Sequence, residues 1–119
     1  FFKANVSPKS WRNFGYITEI PIKILHSTQD TISREQVISL IKKGATDIEP
    51  FPLVTKLDEE NYLLEDGNHR ICAKYFLNQK FAKVNLVDIN DLPEEEIYSA
   101  IERGKIPMKI YKKFIETKI

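Results

Sequence analysis

Tyr62-Leu63-Leu64-Glu65-Asp66-Gly67-Asn68-His69-Arg70-Ile71-Cys72-Ala73 is the stretch on which the reading of this chain turns. Tyr62 to Glu65 has the apolar, aromatic-led character of a strand. Asp66-Gly67 breaks it. From residue 68 the apolar spacing becomes helical, with Cys72, Ala73, Phe76 and Leu77 expected on one face. A strand therefore turns directly into a helix across a glycine. The start of a helix exposes free backbone N–H groups and the positive end of the helix dipole. Anions bind there. Gly67 has no side chain, so a ligand can approach the backbone closely. Asn68 adds an amide donor, and His69 and Arg70 add a titratable ring and a fixed guanidinium fork. The same residues also have a plainer reading, in which Asp66 is an N-cap and His69 is a satisfied histidine on the Cys72 face.

The elements around this turn can be read outward. Leu53 to Leu57 looks like the partner strand, joined to Tyr62–Glu65 through Asp58-Glu59-Glu60-Asn61 as a hairpin. Ahead of it, Ser33-Arg34-Glu35-Gln36 reads as a capping box, with Val37, Leu40 and Ile41 coming next at helical spacing and Gly44 closing the helix. A helix over 34–43 is expected. Ile20, Ile22 and Ile24 alternate, which predicts a strand over 20–25 with Pro21 near its start or at an edge. The cluster Trp11, Phe14, Tyr16 reads as packing of a terminal segment against the core, with an aromatic lid as the other reading. Beyond the turn, 84–89 looks like a strand. Pro93 and Pro107 open two expected C-terminal helices over about 94–117.

Composition sets the outer limits. A chain of 119 residues with 42% hydrophobic and 29% charged residues is expected to form one globular domain, residues 1–119. No apolar run approaches the roughly 20 residues needed to span a bilayer. The single cysteine, Cys72, excludes an internal disulfide and fits a reducing compartment, so a cytoplasmic protein is expected. The chain starts at Phe1 rather than Met, and a trimmed or processed start is the expectation. Net charge is only +1, but residues 1–47 carry +3, residues 48–104 carry −6 and residues 105–119 carry +4. The basic tail reads either as a solvated helix face or as a phosphate-touching segment.

The order strand, capped helix, hairpin, glycine-led helix with His69-Arg70 in its first turn, then strand, resembles the ParB/sulfiredoxin superfamily over roughly residues 18–92. Members carry Asp-Gly-x-His-Arg-x-x-Ala, Gly-Cys-His-Arg or Gly-Glu-Arg-Arg at this place. The resemblance implies an α+β fold with a small mixed sheet and flanking helices. It also implies that Asp66, Gly67, Asn68, His69 and Arg70 hold the phosphates of a nucleotide, ATP or a relative, with Mg²⁺. In sulfiredoxins the earlier helix adds polar side chains to bound ATP. Gln36, Ser39 and Lys43 are the matching positions, although a polar stripe is also what any surface helix shows. Sulfiredoxins place a cysteine directly before the His-Arg pair. Here that position is Asn68, and Cys72 cannot replace it, so repair of sulfinic acid is not implied. Partition proteins carry an arginine where His69 stands. They also extend this domain with DNA-binding and dimerisation segments that the remaining residues cannot hold in full.

The Asp-Gly-x-His-Arg form is closer to a branch that includes free-serine kinases and ParB-like proteins described as nucleases. In the kinase branch a carboxylate after the first strand activates the substrate hydroxyl. Asp30 is the nearest match, as base or metal ligand, and Glu19 is the second candidate. Three functions are expected alternatives. The first is an enzyme of phosphoryl transfer or of phosphoanhydride or phosphodiester hydrolysis, with Asp30 and His69 as catalytic residues and a small hydroxyl acceptor. The second is a non-catalytic nucleotide- or DNA-binding module that regulates a partner. The third is a remnant of the fold with a vacant pocket.

Overall fold

The structure is a computed structural model that describes residues 9–27 and 31–97. Asp30 and nearly all of the expected C-terminal helical region, from residue 98 onward, lie outside the described residues. Five strands form one mixed sheet: β1 (Tyr16–Pro21), β2 (Leu25–Ser27), β3 (Leu53–Asp58), β4 (Asn61–Asp66) and β5 (Phe81–Asp88). Their order across the sheet is β1-β5-β3-β4-β2. β1 runs antiparallel to β5, and β3 antiparallel to β4. β3 runs parallel to β5, and β2 parallel to β4. Two helices leave the parallel pair at the β2 edge: α1 (Arg34–Lys42) after β2 and α2 (Asn68–Phe76) directly after β4.

Alternation along the central strands divides the core between the two faces. Val54, Leu64, Val84 and Leu86 point to one face, where Ile71 of α2 packs on them. Leu53, Leu57 and Val87 point to the other, which Trp11, Leu92 and Ile97 cover. Of the aromatic cluster near the start only Trp11 is core packing: it is buried, and its indole N–H donates to Glu96 at 3.2 Å, whereas Phe14 and Tyr16 are exposed. α1 packs on α2 through Val37, Ala45 and Ala73, with Cys72 and Leu77 at the margin. Phe76, expected on the buried side of α2, is 63% exposed. Ile71, Ala73 and the ion-paired Lys74 occupy the interior instead.

The isoleucine alternation at 20–25 does not produce one strand. β1 ends at Pro21, and Ile22–Ile24 tightens into a 3₁₀ turn before β2 begins at Leu25. Pro21 still pairs with Phe81, its missing N–H tolerated at the sheet edge, and the Ile22 N–H donates to the Lys80 carbonyl in the same register before the chain turns away from β5. That break carries the chain from one edge of the sheet to the other. The hairpin forms as expected, with one irregularity. Leu53 faces Asp66 and Val54 faces Leu64, so Glu65 is an extra residue at a bulge. Bulges bend a strand and re-aim the residues after them. Here Glu65 turns inward, accepts the Thr55 hydroxyl at 3.1 Å, and delivers Asp66-Gly67 to the start of α2.

Candidate functional site

Because β2 and β4 are parallel neighbours, the helices that come after them start at the same end of the sheet. The crevice outside the carboxyl ends of parallel strands is where ligands bind in open α/β sheets. Gly67 sits at φ +91°, the left-handed region. A Cβ there would also lie 2.7 Å from Pro52 Cβ and 3.0 Å from Pro52 Cα. Only glycine meets both conditions without strain. α2 then begins at Asn68, and its first intrahelical bond runs from Ile71 N–H to the Gly67 carbonyl at 3.0 Å. The N–H groups of Asn68, His69 and Arg70 precede that bond and have no acceptor within the helix. The Gly67 N–H is already taken by Asp66 Oδ1 at 2.9 Å. The N–H groups without an acceptor in the helix and not taken by Asp66 therefore begin at Asn68.

Asn68 is 4% exposed. Its Oδ1 accepts the Ser27 hydroxyl at 2.5 Å, which ties the end of β2 to the start of α2. Its Nδ2 is buried with no acceptor among the described residues. A buried amide donor without a partner costs free energy, and here it stands beside the free N–H groups of the first turn. His69 reaches the other way. Its Nε2 accepts the Ser33 N–H at 2.9 Å. Ser33 is the N-cap of α1, and its hydroxyl accepts the Gln36 N–H at 3.3 Å. The capping box is thus completed by His69, which takes the donor that Gln36 was expected to satisfy. An accepting Nε2 carries no proton, so the ring is the Nδ1–H tautomer, with Nδ1–H left as a donor.

Arg70 Nη1 donates to the carbonyls of Ile48 and Pro50, both at 2.8 Å. It clamps the segment that contains the cis Glu49–Pro50 bond against α2. Asp66 is bound by Arg12, whose Nη2 lies 3.3 Å from Oδ2 and whose Nη1 donates to the Phe51 carbonyl at 2.6 Å. Arg12 was not among the expected site residues. It lies in an aromatic segment 54 residues from Asp66, and nothing local marks it. Ser27 was missed for the same reason.

Gln36, Ser39 and Lys43 are all exposed, on the side of α1 turned away from the Val37–Leu40–Ile41 contact with α2. Gln36 lies within a turn of the Ser33–His69 contact. Lys43 comes after the last helical residue, roughly 15 Å along the axis from Ser33 at 1.5 Å per residue. The fold therefore brings Ser27, Ser33, Asn68 and His69 together and leaves Lys43 at the far end of α1. Glu19 lies on β1, at the opposite edge of the sheet, with β5 and β3 between it and β4. It is therefore not placed beside this turn. Cys72 is half-buried at the α1–α2 contact, in keeping with its exclusion as a reactive thiol of the turn. Among the described residues, no group of three His, Cys, Asp or Glu side chains is placed to hold a metal ion. No helix among them is long and apolar enough to cross a membrane.

No family model and no curated protein matches the sequence. Solved structures do match the fold. A protein from Agrobacterium tumefaciens is 19% identical, with a TM-score of 0.56 over 76% of this chain and 49% of its own. The C-terminally truncated chromosome-partitioning protein ParB from Caulobacter crescentus, complexed with CTP-gamma-S, is 21% identical, with a TM-score of 0.54 over 74% of this chain and 52% of its own. A mutant free serine kinase in complex with AMP is 22% identical, with a TM-score of 0.53 over 60% of this chain and 30% of its own. The chain thus spans about a third to a half of the length of these neighbours. The α+β fold is of the ParB/sulfiredoxin type.

Proposed function

We propose that this chain binds a nucleotide through its phosphates at the first turn of α2 and transfers or hydrolyses a phosphoryl group there. The observation that carries the reading is the buried Asn68, whose Nδ2 has no acceptor among the described residues, beside first-turn N–H groups that have none within the helix. Each needs an acceptor, and a phosphate offers several. The helix dipole adds a favourable field for the anion. Neighbours of the same fold are complexed with AMP and with CTP-gamma-S, which supports the choice of a nucleotide over a simple anion.

In this reading Asn68 Nδ2, the N–H groups of Asn68, His69 and Arg70, and the Nδ1–H of His69 hold phosphate oxygens. The guanidinium of Arg70 adds charge while it secures the floor of the site. Gln36 and Ser39 flank the nucleotide from α1. Asp30, between β2 and α1 in the sequence, is the proposed base toward an acceptor hydroxyl. Mg²⁺ would be held chiefly by the phosphates, as that ion usually is, with the exposed Asp66 next to Gly67 in the chain as a described carboxylate at the turn. Its chemistry would be to neutralise charge on the transferring group. The protein's own part is to position the phosphates and exclude water, which is most of what phosphoryl transfer needs.

The test has two stages. ATP, ADP, CTP and GTP with Mg²⁺ are screened by thermal shift, because a ligand that binds only the native state raises its stability. Amide NMR then tracks the tightest binder. The amides of 68–70 should move first, and unchanged signals there at saturation would remove the site. Phosphate or ADP release, with and without serine or DNA, separates catalysis from binding. Asp30→Asn should abolish release and spare binding. Binding without release would favour the second reading, a regulatory module. That reading has its own support in the ParB neighbour.

A further inference from the structure

The end of α2 remote from Gly67 carries a second feature. Tyr75, Phe76 and Phe81 are 66%, 63% and 52% exposed. The Tyr75 and Phe76 rings meet edge to face, with centroids 5.7 Å apart. Together with Ile22, Lys23 and Lys80 they line a cleft of about 610 Å³ between the 3₁₀ turn after β1, the end of α2 and the start of β5. That volume lies within the range of sites that take a ligand or a large side chain. The nine residues of α2 separate it from the Gly67 turn by roughly 12 Å, so it is a different site.

Its charge is distinctive. Residues 48–104 carry a net charge of −6, yet no carboxylate lines the cleft. Lys23 and Lys80 take part in no ion pair among the described residues. By contrast the neighbouring Lys74 is buried, 2.9 Å from Asp47 and 2.7 Å from Gln79 Oε1. Three exposed rings around a hollow, with two free ammonium groups beside them, form an apolar socket of positive potential.

We propose that this cleft docks a partner protein through a short acidic segment with one bulky apolar anchor. The anchor fills the hollow between Ile22, Phe76 and Phe81, and flanking carboxylates meet Lys23 and Lys80. The chain's own residues 105–119 do not suit the cleft, because their five lysines against one glutamate would be repelled by it. A polynucleotide gains affinity from many phosphate contacts, and two ammonium groups over a largely apolar floor do not supply them. Aromatic anchors in a desolvated hollow with oppositely charged rims are how compact docking sites obtain affinity and selectivity.

The experiment is selection of random phage-displayed dodecapeptides on the full chain. Enriched peptides are then synthesised with a fluorescein label and titrated by polarisation. The expected peptides carry a bulky apolar residue flanked by Asp or Glu. Their affinity should fall about tenfold or more on Phe76→Ser and on the double variant Lys23→Glu with Lys80→Glu, the scale of a lost anchor or charge contact. These side chains are on the surface, so circular-dichroism melts should match the wild type, and nucleotide response should be unchanged. Enrichment of basic or charge-indifferent peptides would overturn the proposal. So would hits that bind both variants as well as wild type, failure to enrich any peptide, or competition for the cleft by oligothymidylate.

Discussion

The Nε2 of His69 accepts the backbone N–H of Ser33 at 2.9 Å, across 36 residues of sequence. This bond joins the first turn of one helix to the N-cap of the other. It adds a polar tie, at the N-terminal ends of both helices, to the apolar contact between α1 and α2. His69→Ala should therefore expose the Ser33 amide to solvent exchange and lower stability by about 0.5–1.5 kcal/mol, the net worth of one neutral hydrogen bond. Hydrogen exchange monitored by NMR checks the first effect and urea denaturation the second. Long-range ¹H–¹⁵N correlation should show the Nδ1–H tautomer in the wild type. An Nε2–H tautomer would contradict the contact.

Asn68→Ala removes an acceptor for Ser27 and the unpartnered Nδ2 together. Folding stability should change little, because losing the Ser27 bond is offset by losing a buried donor that has no partner. Nucleotide affinity should fall by about 1.5–3 kcal/mol, the range for hydrogen bonds to charged groups, which is roughly tenfold or more. Calorimetric titration of the best nucleotide against both proteins reads this directly. Equal affinities would mean that Nδ2 does not meet the ligand.

Arg70→Ala is expected to act on both fold and ligand. Its Nη1 holds two carbonyls of the 48–50 segment, so the apo protein should melt at a lower temperature. About 1 kcal/mol corresponds to roughly 4–8 °C for a domain of up to about 100 residues. Nucleotide response should weaken as well. Arg70→Lys should rescue the melt in part, because both carbonyls are held by the single Nη1 and an ammonium also carries several N–H donors on one nitrogen. Differential scanning fluorimetry with and without ATP separates the two effects.

Gly67→Ala should be among the most damaging single-methyl changes in the chain. The added Cβ meets Pro52 at 2.7 Å and must accept φ +91°. Strained backbone alone costs on the order of 1–3 kcal/mol, and the Pro52 contact adds to it. Denaturant midpoints measure the loss. A midpoint unchanged from wild type would mean that the turn relaxes without penalty.

The parts of this molecule that were legible in the sequence are those decided by neighbours in the chain. Ser33 is an N-cap because of the residues within one turn after it, and Gly67 marks a helix start because a strand pattern stops before it. The hairpin was legible from two apolar runs and a polar turn. Contacts made by the fold could not be read in the same way. Ser27 meets Asn68 over 41 residues, and Arg12 meets Asp66 over 54. Each involves a common polar side chain with no local signature. The segment 20–25 misled for a different reason. Its isoleucines do alternate, but the pairing with β5 runs only as far as Ile22, and the chain then tightens into a 3₁₀ turn that takes it to the opposite edge of the sheet. Phe76 misled because helical spacing marks it as inward, while the docking of α2 turns it to solvent.

The segment from Asp47 to Pro52 is riveted to α2 at three levels. Lys74 grips Asp47, Arg70 grips Ile48 and Pro50, and Gly67 presses on Pro52. Helix and segment must therefore behave as one stiff jaw. Among the described residues, α1 is joined to that jaw by a greasy seam, the bond at His69 and, at its far end, a bond from the Gln79 side chain to the Gly44 carbonyl at 3.2 Å. Any closing of the crevice around a guest then falls to α1, swinging against an anvil that does not yield. Amide exchange should reflect this division, with residues 47–52 and 67–74 slowing together and α1 responding separately when a nucleotide is added.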